Sequence, residues 1–217
     1  MKKIKSFTLA EVLITLVVIG IIAAITVPVV MANHKKTETA AKLKKFYSTF
    51  SNAVRLAEIE QGVPSYEWDF RNAGYTAFFE TYLQKYFSYT SAGLISGEEF
   101  QAGQPRGLYT VYLNDGTIIG FDNNSPSIDN SIPASIDVYV DINGEKNPNI
   151  LGRDIFHFNI NNSGKIKNHN VEPFSSVDCY ECTREDVISE CETGGYACSQ
   201  LIQMDGWEIK DDYPLKL

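Results

Sequence analysis

The sequence predicts an α+β fold: a long amino-terminal helix, apolar in its first half and amphipathic in its second, packed on a small antiparallel sheet head. Three observations carry that expectation. Phe7 to Ala32 is an apolar run of 26 residues holding a single charge, Glu11. Leu43, Phe46, Tyr47, Phe50, Ala53, Val54 and Ala57 then recur at the i, i+3, i+4, i+7 spacing of one helix face. Beyond residue 107 the period drops to two, and "LYTVYLNDGTIIGFD" reads as two strands around the Asn114-Asp115-Gly116 turn.

Composition bounds the rest. At 217 residues, 44% hydrophobic and 21% charged, the chain suits one modest globular core and is neither disordered nor collagenous. The net charge of −8 is unevenly placed. Residues 1–46 hold eight lysines and two acids, which leaves 11 basic against 25 acidic residues beyond, a net of −14. So acidic a head repels nucleic acid, and no nucleic-acid partner is expected.

The amino-terminal run is too long for a secretory signal, whose apolar core spans about 7–15 residues, and Val30-Met31-Ala32 is a poor cleavage site. A plain transmembrane anchor explains the length, since roughly 20 apolar residues span a bilayer. It leaves Glu11 without a reason. A carboxylate in hydrocarbon costs on the order of 2.5–3.5 kcal/mol, so one that is kept calls for a partner.

"KSFTLAEVLITLVVIGIIAAITVPVV" resembles the amino terminus of type IV pilins and type II secretion pseudopilins. The resemblance implies a leader, Met1 to Ser6, cut before Phe7 by a prepilin peptidase, with methylation of the new Phe7 amine. Ser6 stands where that family usually has glycine. Glu11 falls at the fifth mature position, where the family's glutamate pairs with the terminal amine of a neighbouring subunit and sets its axial stagger. Gly20 and Pro28 fall at the helix-softening positions, between which the family's helix stretches in the filament. Lysines flank the run on both sides, so charge alone does not orient it. The resemblance does, placing the leader in the cytoplasm and the head outside the bacterial inner membrane, in the periplasm or beyond.

The elements follow in order. No breaker interrupts Met31 to Gln61, so one helix is expected from about Phe7 to Gln61, with Gly62 as its stop and Pro64 behind it. That divides the chain into a leader (1–6), an assembly helix in the membrane (7–32), an amphipathic half (33–61) and a head (62–217). "NAGYTAFFETYLQKYFSYT", residues 72–90, spaces its aromatics as a second helix does. Strands are expected near 136–142 and 154–160, then a turn at 161–164, giving roughly four antiparallel strands on the stem. "DINGEKNPNILGRDIFHF" and the closing "GWEIKDDYPLKL" are similar to head and tail segments of pilin-like secretion proteins.

Asp141, Asn143 and Glu145 alternate like the first ligands of a calcium loop. Lys146 and Gly152 stand where that loop wants its glycine and its last acid, so the tight turn at Asn143-Gly144 is the preferred reading. No other cofactor or metal is expected. Cys179, Cys182, Cys191 and Cys198 lie without a histidine among them, and an extracytoplasmic head favours two disulfides over zinc. Three pairings are open, and the bridges are expected to staple a carboxy-terminal loop. No catalytic motif is present, and an enzyme is not expected. The function that follows is a structural filament subunit, with a type II secretion pseudopilin preferred to a pilus subunit for adhesion, motility or DNA uptake. Its partners are other pilin-like subunits, the peptidase and an inner-membrane assembly platform. A membrane-tethered enzyme or binding protein is the reading from another class.

Overall fold

The computed structural model describes residues 8–68, 78–94, 109–124, 135–161, 172–173 and 182–217. Its first element is a single helix of 53 residues, α1 (Leu9–Gln61), continuous through Pro28. It stops where glycine allows: Gly62 takes φ 70° and its N–H donates to the Glu58 carbonyl at 2.9 Å. Glu58 then accepts from both the backbone and the hydroxyl of Ser65, which turns the chain into a short 3-10 turn, Ser65–Glu67.

Only the second half of α1 is covered. Leu43, Phe46, Phe50, Ala53, Val54 and Ala57 are buried, as read from the sequence, with Tyr47 packed at the margin; the covered stripe also extends back to Thr39 and Ala40. The cover is an antiparallel sheet of five strands and a two-residue sixth, ordered as in the chain. The strands are β1 (Tyr89–Leu94), β2 (Tyr109–Leu113), β3 (Ile118–Asn124), β4 (Ser135–Asp141), β5 (Ile155–Asn161) and β6 (Glu172–Pro173). Ile119, Phe121, Ile136, Val138, Val140, Phe156, Phe158 and Ile160 alternate onto the helix side and are all but fully buried. Between β2 and β3 the predicted turn forms, with Gly116 at φ 86° and the Asp115 carboxylate accepting from Thr117 N–H at 3.1 Å.

Two expectations change, and the sheet gains β1 beyond the roughly four strands expected. The helix expected over 72–90 is, in its described part, a π turn (Phe79–Leu83) and a 3-10 turn (Gln84–Tyr86), and residues 69–77 lie outside the described residues. From Tyr89 the chain is β1. Ser88, Thr90 and Ser91 are poor helix interior residues whose side chains compete for the backbone, and β2 offers a full row of partners. The expected carboxy-terminal loop is instead largely helical: α2 (Arg184–Gly194) and α3 (Cys198–Met204) bury Val187, Cys191, Cys198, Leu201 and Ile202 in the main core. Asn161 ends β5, and the rest of the turn expected at 161–164 lies outside the described residues.

Candidate functional site

Along α1 the side chains from Leu9 to Met31 are exposed all round: Leu9, Val17, Ile19, Ile22 and Ile25 lie on different faces and none is covered. Leu9 to Ala32 rises about 36 Å, against roughly 30 Å of bilayer hydrocarbon. The helix is long and apolar enough to cross a membrane. Its polar side chains turn inward on their own backbone: Thr15 and Thr26 donate to the carbonyls of Val12 and Ile22, both at 2.9 Å. Pro28 has no N–H to give Ala24, and a side chain at Gly20 would meet nothing within 4 Å.

Glu11 does local work as well. Thr8 N–H and Thr8 Oγ1 donate to Glu11 Oε2 at 2.7 and 2.8 Å, and Glu11 N–H donates back to Thr8 Oγ1 at 3.2 Å. This is a capping box: two otherwise orphaned N–H groups gain acceptors, and the carboxylate sits at the positive end of the helix dipole. The Thr8-x-x-Glu11 spacing is the signal that betrays it. Ser6 and Phe7 lie outside the described residues.

A second group of residues fixes the chain end against the stem. Lys36 donates to Asp211 at 2.8 Å and to the Lys210 carbonyl at 3.3 Å, and Trp207 packs on Tyr47 with ring centroids 5.0 Å apart. Arg184 opens α2 and forks across Asp205 (2.7 Å twice) and Asp212 (2.7 and 2.9 Å), while Lys210 reaches Asp205 at 2.7 Å. Those partners, Arg184 foremost, hold the Asp205 carboxyl below its usual range. Tyr213 donates to the Gly152 carbonyl at 2.5 Å. Gly152 takes φ 80°, and a Cβ there would lie 2.6 Å from Cys198 Sγ, so only glycine lets loop, disulfide and tail meet. Nothing in the sequence pattern announces this clasp, because its members are up to 175 residues apart.

The three described cysteines are oxidised. Cys191 and Cys198 join α2 to α3 with Cα atoms 4.6 Å apart, both fully buried. Cys182 is disulfide-bonded too, and Cys179 lies outside the described residues. The start of α2 carries another capping box, Thr183-x-x-Asp186, and this is the local signal from which the helix could be foreseen.

The DINGE segment forms the preferred turn, with Gly144 at φ 71° and Asp141 accepting from Asn143 N–H at 2.9 Å. Asp154, buried, accepts from Asn143 Nδ2, Asn149 N–H and Ile150 N–H at 3.0, 2.9 and 2.6 Å. Burial, with the Asp154 charge acting on it, pushes Asp141 up to about 7. Glu145 points to solvent, exposed, and among the described residues no group of three or more His, Cys, Asp or Glu gathers as a metal site would. His157 is buried on the far face of the sheet, 3.4 Å from Asp137 and stacked on Tyr139, so it belongs to the fold rather than to a surface.

Residues 1–27 match the prokaryotic N-terminal methylation motif, the prepilin-type motif of type IV pilins and pseudopilins. Residues 29–217 match a family of unknown function, DUF6613. No curated protein and no solved structure matches the chain. Because that second match runs over most of its length, the chain belongs to the DUF6613 family, and it carries a pilin-like methylation motif in front of it.

Proposed function

We propose that the chain is a structural subunit of a pilin-like filament, and in particular a type II secretion pseudopilin that polymerises through α1 to drive protein secretion. The observation that carries the reading is one helix with two environments. Its first half bears the methylation motif and touches nothing of its own head, while its second half is sealed into that head. An apolar helix of that length is stable in a membrane or in a bundle of its own kind. Moving between the two needs no refolding of the head.

Within the bundle, Glu11 supplies the specificity. Cleavage after Ser6 gives Phe7 a positive amine, and the Glu11 carboxylate of one subunit neutralises the amine of its neighbour at low dielectric. Breaking such a pair leaves an uncompensated charge, which is strongly unfavourable. The prepilin peptidase makes the amine, the assembly platform lifts the subunit, and the head faces away from the cytoplasm.

The test uses the native strain. Mass spectrometry of the mature chain should give a methylated Phe7 terminus. Glu11→Ala and Glu11→Gln should be inserted, cleaved and folded, yet absent from sheared or crosslinked filaments. Loss of secretion on deletion, with surface motility and DNA uptake intact, assigns the secretion machine; the reverse assigns a pilus. An uncleaved Met1 terminus, or Glu11→Ala filaments at normal yield, would overturn the reading.

A further inference from the structure

A filament of identical subunits needs two different surfaces that fit each other, because head-to-tail contacts are heterologous. The outward side of the stem is one such surface. With Leu43, Phe46, Phe50, Val54 and Ala57 turned into the core, Lys44 and Arg55 share the opposite side of α1, eleven residues apart on one line. Both are exposed, and among the described residues neither has an ion pair. Three other stem lysines, Lys36, Lys42 and Lys45, are matched within the subunit by Asp211, Glu38 and Asp115. The tail offers the complement. Glu208 is exposed, has no ion pair among the described residues, and is carried in an acidic stretch pinned to the stem by Trp207 on one side and Asp211 on the other.

From this complementarity we propose that Lys44 of one subunit docks on the Glu208 acidic tail of the next copy in the filament. The proposal rests on the filament reading, and the register of that reading places the two charges at one height. If the mature helix continues to its amino terminus in the filament, a subunit whose Glu11 meets the Phe7 amine of its neighbour is displaced from it by four residues, about 6 Å along the axis. Its Lys44 is then level with Ala40 of the neighbour. That neighbour's tail spans the same height, since Asp211 is held at Lys36 and Trp207 at Tyr47, and Glu208 lies between them. The stagger set in the membrane therefore brings the free lysine of one copy to the free acid of the next. Opposite charges in register favour that stagger, and any slip of a few residues separates them.

The experiment is a charge swap in the full chain, expressed in the native strain. Lys44→Glu and Glu208→Lys are made singly and together, and polymer is read as the ratio of sheared filament to membrane pool. An exposed pair is worth a factor of roughly two to five in an equilibrium. Each single reversal should lower the ratio by at least about that factor, and more at low salt than at high salt. The double reversal restores the pair in every contact and should bring the ratio back. Equal polymer from all four chains, or a double variant no better than the singles, overturns the pairing while leaving the filament in place. A wild-type chain that yields no sheared polymer overturns the filament reading and the pairing with it.

Discussion

Arg184→Ala should destabilise the head by about 2–3 kcal/mol, far more than an ordinary surface arginine would. The reason is the burial of its partner. The Asp205 side chain is 3% exposed, whereas that of Asp212 is 55% exposed. Removing one member of a buried pair costs on the order of 3–5 kcal/mol, because the other charge is left in poor solvent. Two features reduce that figure here: Lys210 remains 2.7 Å from Asp205, and Arg184 is itself 26% exposed. The Asp212 contact, at the surface and screened by water, adds little. At about 2–4 °C per kcal/mol for a domain of this size, Tm should fall by roughly 5–10 °C. Thermal unfolding of the full chain in detergent, followed by tryptophan fluorescence, reads it directly, since Trp207 stands two residues from Asp205. The pH dependence has a fixed sign. Asp205 titrates in the folded head below its unfolded value of about 3.9, so its contribution is complete above that value and is lost as pH falls through the lower folded one. The gap between wild type and Arg184→Ala should be flat from about pH 8 to pH 5 and shrink below about pH 4. A double variant with Asp205→Asn should lose less than the two single losses combined. A single-variant loss under about 0.5 kcal/mol, or strict additivity with Asp205→Asn, would refute the clasp.

Two further outcomes concern the head. The Cys191–Cys198 bridge closes a short loop of sequence separation 7, for which chain entropy gives about 2.5 kcal/mol; Cys191→Ala/Cys198→Ala should lose about that much by urea unfolding, and alkylation without reductant should label neither cysteine in the wild type. Asp141 and Asp154 accept from backbone N–H groups of their own loop, so calcium should not move Tm; a site of about 10 µM affinity would gain about 2.7 kcal/mol at 1 mM calcium and raise it measurably.

What the sequence made legible is what is local and periodic. The stem stripe from Leu43 to Ala57, the Gly62 stop and the Asn114-Asp115-Gly116 turn each depend on neighbours within one or two turns of chain, and each forms as read. The strand pairs around Val138 and Phe158 are legible for the same reason, since alternation fixes the face and the face fixes the register. The start of β1 was opaque because Tyr86 and Tyr89 continue the helical spacing of Phe79 and Tyr82, and only β2, which begins at Tyr109, makes it a strand. The clasp was opaque for a stronger reason. Lys36, Gly152, Arg184, Asp205 and Tyr213 carry no common pattern along the chain, and tertiary packing alone brings them together.

Continuity of α1 ties the membrane event to the head. Because the helix runs unbroken from Leu9 to Gln61, a displacement set at Glu11, as the filament reading has it, would be repeated at Lys44 with the same sign and size. Between them stand Gly20, where a side chain would meet nothing within 4 Å, and Pro28, which has no N–H to donate; in the proposed filament this is the stretch expected to give first. If that stretch unwinds in the polymer, each of its residues lengthens from about 1.5 to about 3.3 Å, and the head moves outward by more than a turn of helix. The relative stagger is nevertheless unchanged, because every copy lengthens alike and the difference between neighbours cancels. The Lys44 to Glu208 contact is therefore insensitive to stretching that is uniform and is broken by stretching that is not. Subunits that extend together keep the Glu11 pair and the Lys44 to Glu208 pair in one filament; a Lys44 reversal that leaves the polymer unchanged overturns the Lys44 to Glu208 pairing, whatever the helix does between the two.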